Sequence, residues 1–519
     1  MEQVELSIKE KKILFWASFL ALAAAGFGFT FRVIEGGGYG SEFDLNAHQM
    51  GQIFGASLWP IAITMILFSL IVDKVGYKLP MFIACALQAV SAIGTATADS
   101  YNSLYMYAVC AGLGHGIVEA VINPVCAAVY PKEKTKMLTI LHAAWPVGLM
   151  LAGLLIIASN AAFGGVSWQV HSLWMLLPVV AYGLMFIPCR FPVDERVAAG
   201  VSYSAMLKQV GFLGAALASF MLVFEIGNQI DALTSWAKPD NWFMMSVYIG
   251  LGIGLAFGAA VQSLGKPLFF ILCLLMIPVA TAELGTDQHI KNMMTPVLEG
   301  IDVNPSFAIV FSAFIMMALR LYAGGILRLA SPPTILAVSG ILSAAGLIWL
   351  SGAAGWAIFI AFVIYAVGQT FYWPCILGFV AERYPKGGAL TLNTVSAIGL
   401  LSVGIIGGQL LSINYGKSIH SQLSDSNKAV AVASEEPKKF LWENTHIIEP
   451  AKAKAYIAEQ PEAERKDLTD TVERAEKQGG RDVLKYAAIY PIILVIAFGI
   501  IAIYFRTRGG YKPVELDQE

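Results

Sequence analysis

Three polar side chains recur at four-residue spacing inside one apolar stretch, GLGHGIVEAVINP: they are His115, Glu119 and Asn123. Four residues turn an α-helix through about 400°, so the three side chains share one face with a slow drift. A charge at mid-bilayer depth costs about 2.5–3.5 kcal/mol on insertion scales, and it normally faces a cavity or a partner. An apolar setting favours the neutral form of a carboxylate, which suits a group that loads and releases a proton. We therefore expect Glu119, with His115, to be a proton-coupling or substrate site; the alternative is a structural Glu119 hydrogen-bonded to His115 or His142.

The asparagine and three tryptophan–proline pairs suggest a binding surface for a polar solute. Asn123 precedes a proline, which removes a backbone donor, bends the helix and can leave a carbonyl facing a cavity. Sugar sites use aromatic faces with polar groups around them. Asn123 is a candidate sugar contact or a helix-packing hydrogen-bond donor. His142 and the pairs at Trp59, Trp145 and Trp373 are candidates on the same grounds, with plain helix packing as the alternative.

The elements that must position these residues are membrane-spanning helices. The chain has 519 residues, of which 57% are hydrophobic and only 13% charged, and its apolar blocks are about 20 residues long. Its net charge of −2 gives no indication of a nucleic-acid partner. The pattern predicts an all-α polytopic membrane protein. Its fourteen candidate spans lie near 13–33, 50–72, 79–98, 104–130, 137–158, 169–188, 208–228, 242–262, 267–284, 306–323, 334–351, 355–381, 389–412 and 486–505.

Basic short loops favour one orientation in a cell (inner) membrane. With the N-terminus inside, the loops 73–78, 131–136 and 190–196, the pair Arg320 and Arg328, and later basic residues all lie on one side. This positive-inside pattern predicts that both termini are cytoplasmic. Residues 414–485 are polar and rich in Lys, Glu and Ala, so we expect a partly helical segment outside the membrane, a solvated spacer in preference to a domain.

An internal repeat organises the spans. GHGIVEAVINPVCAAVYPK from Gly114 matches GQTFYWPCILGFVAERYPK from Gly368 at an offset of 254. The repeat predicts a six-helix bundle at 1–198, an inserted helix pair at 199–265 and a second six-helix bundle at 266–519. By the offset, Gln369 corresponds to His115 and Trp373 to Glu119. Both are therefore candidate site residues, and Asn393 on the next span is a third.

Charged residues close to the ends of the spans indicate whether the solute is charged or neutral. Glu283, Asp287 and Lys291 form a stripe at the end of the ninth span, either a gate or an ordinary solvated helix end. A carrier of anions would need a deep Arg or Lys. Because Arg32 and Arg320 lie near span ends, the sequence favours a neutral solute.

The loop FSLIVDKVGYKLP resembles the signature between the second and third helices of the major facilitator superfamily, through Asp73, Lys74, Gly76 and Lys78. The fourth and fifth spans, with Glu, Asn-Pro and then Leu-His, resemble its fucose:proton symporter branch. The resemblance implies proton-linked uptake of a sugar or similar polar solute, with Glu119 in proton coupling. It implies a substrate contact for Asn123 and a conformational role for the loop. The branch also uses a carboxylate within the first helix, where FWASFLALAAAGFGFTF has none.

Other functions are weighed against this one. The closer alternative is a carrier of another solute, such as an organic anion, a nucleoside or a drug, and sodium is an alternative coupling ion. A more distant one is a membrane enzyme or metal carrier that uses His115, Glu119 and His142 as ligands, but the HExxH arrangement is missing. We therefore expect a monomeric carrier that works by alternating access. No enzyme activity, cofactor or resident metal is expected.

Overall fold

The structure is a computed structural model of the 519-residue chain, and it describes residues 6–45, 47–234, 238–287, 307–440, 443–448 and 450–516. Within these residues, thirteen of the fourteen predicted spans coincide with helices or helix runs long and apolar enough to cross a bilayer. The span predicted at 306–323 is a shorter helix, Phe307–Leu321, and residues 288–306 before it lie outside the described part. The prediction of an all-α polytopic protein is confirmed.

Up to the end of the inserted pair, the described residues form twelve helices. They are α1 (Ile8–Glu42), α2 (Ala47–Ala56), α3 (Trp59–Val75), α4 (Lys78–Ala96), α5 (Tyr101–Val129), α6 (Lys134–Leu141), α7 (Ala144–Phe163), α8 (Trp168–Trp174), α9 (Leu176–Phe186), α10 (Glu195–Ala198), α11 (Tyr203–Leu233) and α12 (Trp242–Val261). Serines cap two of the longest: Ser7 accepts from the Glu10 amide before α1, and Ser100 from the Ser103 amide before α5.

The rest of the chain adds twelve helices and one hairpin among the described residues. They are α13 (Pro267–Ala280), continued by a π-helical turn Thr281–Gly285, α14 (Phe307–Leu321), α15 (Ala323–Ile326), α16 (Pro332–Gly352), α17 (Ala357–Gln369), α18 (Tyr372–Arg383), α19 (Gly388–Ser402), continued by a π-helical turn Val403–Gly407, α20 (Gly408–Ser426), α21 (Lys428–Ser434), β1 (Glu435–Phe440), β2 (Glu443–Ile448), α22 (Pro450–Glu459), α23 (Glu462–Ala487) and α24 (Ile489–Thr507). The strands β1 and β2 pair antiparallel, with Glu435 opposite Ile448.

The predicted inserted pair is a tight helical hairpin of α11 and α12. Three glycines of α12 lie directly against α11: Gly250 faces Phe220, Gly254 faces Ala216 and Gly258 faces Phe212, and a Cβ on any of them would stand 2.5–2.7 Å from its neighbour. Small residues at this spacing allow two helices to approach closely, which is how helices associate where lipid provides no hydrophobic driving force.

The loops 73–78, 131–136 and 190–196 join spans at one end of the bundle, which we call the basic end. We call 1–198 the N-terminal half and 266–519 the C-terminal half, and the two halves are joined at the basic end. There Lys134 bonds Glu195 at 2.7 Å and reaches the Ala381 carbonyl at 3.4 Å. The Thr135 hydroxyl also donates to Glu382 of the C-terminal half. The basic end is therefore closed in this conformation.

The signature loop lies at the same end. Gly76 ends α3 with φ +72°, a left-handed conformation that favours glycine. Lys78 donates to the Ile187 carbonyl at 2.8 Å and ties the start of α4 to the end of α9, while Lys74 is exposed. The side chain of Asp73 lies outside the described part. The conformational role predicted for these four residues stays a prediction.

Residues 408–487 differ from the expected spacer. Helices α20 and α23 continue two spans beyond the bundle, opposite the basic end, and α21, the hairpin and α22 fill the space between them. The apolar side chains between residues 419 and 475 form a separate core around Leu423, Val430 and Val472, whereas Leu411 and Leu484 belong to the core of the bundle. The apolar positions are spread over four helices, so the core could not be recognised from any one segment. We call residues 408–487 the extramembrane subdomain.

Candidate functional site

The histidine–glutamate–asparagine face of α5 is buried and forms one polar chain. Glu119 is only 6% exposed, and its Oε2 accepts from the Asn123 amide at 2.7 Å. The Oδ1 of Asn123 lies 2.9 Å from Nε2 of His142, at the end of α6. On the other side, Nε2 of His115 lies 3.8 Å from Oε1 of Glu119. The structure thus brings together four of the predicted site residues: Glu119, Asn123 and His142 form a hydrogen-bonded network, and His115 lies beside it with no hydrogen bond from its Nε2 among the described residues.

Three members of this network, His115, Glu119 and His142, line a central cavity between the two halves. The space between its lining atoms is about 600 Å³, which includes open solvent. Its lining consists of Phe29, Leu58, His115, Glu119, His142, Trp145, Glu283, Leu284, Arg320, Trp373, Leu400 and Val403. Trp145 and Trp373 come from opposite halves, as the repeat predicts for Trp373 and Glu119. The ring of His115 stacks on Trp145, with centroids 5.4 Å apart and 20° between the planes.

A buried ion pair completes the wall on the C-terminal side. Nη2 of Arg320 donates to Oε1 of Glu283 at 2.6 Å. The other carboxylate oxygen, Oε2, accepts the Trp373 backbone amide at 3.0 Å, one of the free amides at the start of α18. Both members of the pair are deeply buried, Glu283 at 2% and Arg320 at 1% exposed. Two charges that are buried together and hydrogen-bonded in this way form a fixed part of the cavity wall.

Two sequence interpretations are wrong at this point. Of the two alternatives for Glu283 and Asp287, the solvated helix end is wrong, since both side chains are buried, and the gate stays a prediction; Lys291 lies outside the described residues. Arg320 does not belong to a basic loop; it reaches into the cavity from the last turn of α14. Arg32 also faces a cavity, considered below. The argument for a neutral solute from the lack of a deep cation therefore fails.

The tryptophan–proline pairs explain how Arg320 is held. A proline has no amide hydrogen, so the carbonyl four residues earlier in the helix is left free. Pro374 frees the Thr370 carbonyl, which accepts from Nε of Arg320 at 2.7 Å. Pro146 frees the His142 carbonyl, which accepts from Nη1 at 3.0 Å. Each guanidinium nitrogen of Arg320 thus donates to a protein oxygen, and one of these oxygens belongs to the N-terminal half.

A third proline, in α5, also leaves a backbone carbonyl free to accept a hydrogen bond from a side chain. Pro124 frees the carbonyl of Ala120, which accepts from the amide of Asn393 on α19 at 3.1 Å. The same amide nitrogen donates to the Ser69 hydroxyl at 2.7 Å. Asn393 thereby joins α19 to α3 and α5 across the two halves. The carbonyl that the sequence predicts to be free is used for contact between halves.

Three predicted substrate residues lie behind the cavity wall in this conformation: Gln369, Asn393 and Asn123, which is also fully buried. Gln369 is fully buried, and its amide nitrogen donates to Asp287 at 3.3 Å and to the Ser312 hydroxyl at 3.0 Å. Asn393 is also fully buried. Their contact with a solute stays a prediction. Among the described residues, no group of three or more His, Cys, Asp or Glu side chains is arranged to hold a metal ion.

A polytopic helical bundle with a polar cavity between its halves has the architecture of a secondary transporter. The sequence model of the Major Facilitator Superfamily matches residues 14–408, and the chain belongs to this family. It is accordingly a multi-pass membrane transporter, and not an enzyme.

Solved structures show the same fold at low sequence identity. A bacterial homologue of the human lysosomal transporter Spinster is 14% identical, with a TM-score of 0.58 over 98% of this chain and 100% of that one. The human organic anion transporter TETRAN is 11% identical, with a TM-score of 0.56 over 94% and 99%. The fucose:proton symporter of E. coli, in a variant form, is 13% identical, with a TM-score of 0.50 over 94% and 98%. No curated protein matches the sequence.

Proposed function

We propose that this transporter moves a sugar or a similar small polar solute together with a proton, by alternating access. The observation that carries the proposal is the position of Glu119. It is a buried carboxylate in the wall of the central cavity that accepts a hydrogen bond from Asn123 and lies 3.8 Å from His115. A carboxylate there can exchange its proton with the cavity, and its charge changes the cost of closing the cavity around a solute.

The aromatic walls support a sugar-like solute. Trp145 and Trp373 line the cavity from opposite halves, so a solute in the cavity would meet aromatic side chains from both halves. His142 and Asn123 supply polar groups nearby. The fucose:proton symporter has the same fold, which is consistent with this solute class.

Arg320 does not favour an organic anion in the central cavity. Its three guanidinium nitrogens already donate to Thr370, His142 and Glu283. An anion that recruited Arg320 would have to displace at least one of these oxygens. The charges of Glu283 and Arg320 cancel, so Glu119 is left as the only unbalanced carboxylate among the residues that line this cavity.

The direction of transport and the orientation of the protein in the membrane follow from the same proposal. The basic loops support cytoplasmic termini in a cell membrane, and a monomer contains the complete cavity. With the basic end closed, the conformation described here would be one that receives solute from the opposite side, for inward movement.

The test is uptake of labelled monosaccharides into proteoliposomes, with and without an inward proton gradient. We compare the parent with Glu119→Gln and with Glu225→Gln, a control that removes a carboxylate bonded to Gln229 on α11, outside the cavity. Glu119→Gln should abolish gradient-driven accumulation while counterflow exchange survives, and Glu225→Gln should retain both. If uptake depends neither on the proton gradient nor on Glu119, the proposed proton coupling is wrong.

A further inference from the structure

A second cavity of about 460 Å³ lies within the N-terminal half, beside the central one. We call it the side chamber. Its wall includes Arg32 of α1 together with Gln88 and Ser91 of α4. It shares Phe29, Leu58, His115 and Trp145 with the central cavity, so the two spaces adjoin at the stacked His115–Trp145 pair.

The side chamber contains hydrogen-bond donors that lack acceptors. Arg32 donates from Nη1 to the Gly28 carbonyl at 2.7 Å, one turn earlier in its own helix. In the described part of the chain, no carboxylate oxygen lies within 4 Å of its guanidinium. The Ser91 hydroxyl is buried, with the residue 2% exposed, and has no partner among the described residues. Gln88 accepts from the Tyr182 hydroxyl at 3.0 Å, so its amide nitrogen remains for the chamber.

This arrangement contrasts with that of Arg320. Both arginines line cavities, but Arg320 is neutralised by Glu283, whereas Arg32 has no such partner in the part of the chain that the structure describes. Arg32 is partly buried and lines the side chamber, where an unpaired cation is costly unless something compensates for it. A guanidinium with free N–H groups, a hydroxyl and an amide nitrogen together favour a ligand group that is negatively charged and rich in acceptors.

A carboxylate fits better than a phosphate. The chamber provides a single positive charge, that of Arg32, and a carboxylate carries one negative charge, whereas a phosphate monoester carries about −1.5 to −2 near pH 7. Gly28 permits the position of Arg32, since a Cβ on this residue would stand 3.3 Å from Nη1.

We propose that Arg32 and the side chamber bind the carboxylate of the transported solute, while its hydroxylated body occupies the central cavity between Trp145 and Trp373. The solute is then an acidic sugar, such as a hexuronate or an aldonate. This inference rests on the proposed function and narrows its substrate class.

The test compares matched acids and neutral sugars on the purified full-length protein. Binding of D-glucuronate, D-galacturonate and D-gluconate is measured against D-glucose and D-galactose, with D-glucose 6-phosphate as the phosphate probe. At least one acid should bind about tenfold or more tightly than its neutral counterpart. Arg32→Gln should remove this advantage, and Arg32→Lys should retain part of it. Arg190→Gln, which alters an exposed arginine, should leave the advantage unchanged.

Each of the remaining possible results contradicts the inference, and these results can be told apart. If neutral sugars bind as tightly as the corresponding acids and still accumulate with the proton gradient, the proposed function stands and the assignment of an acidic solute is wrong. If Arg32→Gln weakens the binding of acids and of neutral sugars equally, Arg32 has a structural role only. Tighter binding of the hexose phosphate excludes the carboxylate assignment. Binding of none of these compounds contradicts both proposals.

Discussion

Arg320 and Glu283 are joined by a 2.6 Å hydrogen bond in the wall of the central cavity, and both side chains are almost completely buried. Arg320 also donates to the His142 carbonyl of the other half. The pair is therefore both a charge-neutral part of the cavity wall and a bond between the halves, and a movement that separates the halves there must break the contact with His142.

Removing one member of this pair should strongly destabilise the protein. Glu283→Gln leaves the guanidinium charge without its carboxylate, and Arg320→Met leaves the carboxylate without its cation. Breaking a buried pair in this way costs about 3–5 kcal/mol. The measurement is the thermal unfolding midpoint of the purified protein in detergent.

The double variant Glu283→Gln with Arg320→Met is the internal control, because it leaves no unpaired charge and should recover much of the lost stability. Arg190→Met removes a partner from the exposed Arg190–Glu10 pair and should change the midpoint little. If Glu283→Gln unfolded at the temperature of the parent, the charge of Arg320 would have another compensating partner.

The sequence predicts the α5 face of the site well, because a glutamate in the middle of an apolar span has few explanations. The repeat offset adds Trp373, which the structure places across the cavity from the α5 network. The same offset pairs Glu283 with Phe29, and both residues line the cavity. That correspondence was the available signal for Glu283.

Arg320 could not be recognised in the same way. It lies in the last turn of the apolar helix α14, a position where long basic side chains commonly extend to the membrane surface. Its inward direction depends on oxygens from three other segments: Thr370, His142 and Glu283. The sequence also puts Arg32 near the end of its predicted span, 13–33. In the structure α1 continues to Glu42, so Arg32 is not at the end of its helix.

The contact of Asn393 with the N-terminal half should control how often the basic end opens. Asn393→Ala removes the bonds to Ser69 and to the Ala120 carbonyl, and that carbonyl lacks a helical partner because of Pro124. The loss of two buried hydrogen bonds, each worth about 0.5–1.5 kcal/mol, should shift the population about tenfold or more towards the open state.

Spin-label distances measure this population. Lys132→Cys and Arg328→Cys place labels on exposed positions of the two halves at the basic end, in a background without the native cysteines. Asn393→Ala should increase the share of long distances. Asn414→Ala is the control, because among the described residues its side chain bonds only the Leu410 carbonyl of its own helix. Identical distance distributions for the parent and Asn393→Ala would show that these bonds do not hold the basic end closed.

The crossing of α1 and α7 positions Trp145. A Cβ on Gly148 would overlap the Ala23 carbonyl oxygen, and a Cβ on Gly26 would stand 2.5 Å from the Trp145 carbonyl oxygen. Gly148→Ala should therefore push the helices apart, lower stability by about 1–3 kcal/mol and weaken solute binding through Trp145. Gly37→Ala, also in α1, meets nothing within 4 Å and should be neutral or slightly stabilising. Unfolding midpoints and solute affinity test both expectations, which fail if the two variants behave alike.

The extramembrane subdomain should unfold locally when its core is disturbed. Leu423 is fully buried among Ile419, Ile457 and Val472, so Leu423→Ala should cost about 2–5 kcal/mol. Val432 is 62% exposed, and Val432→Ala should have little effect. Hydrogen–deuterium exchange over 408–487 should rise for Leu423→Ala only.

Because this core is separate from the membrane bundle, exchange in α5 and solute uptake should both persist in Leu423→Ala. Increased exchange in both regions would mean that the subdomain and the bundle unfold as one cooperative unit. Normal exchange in α5 together with lost uptake would instead assign the subdomain a part in transport, since α20 and α23 continue directly from spans of the C-terminal half.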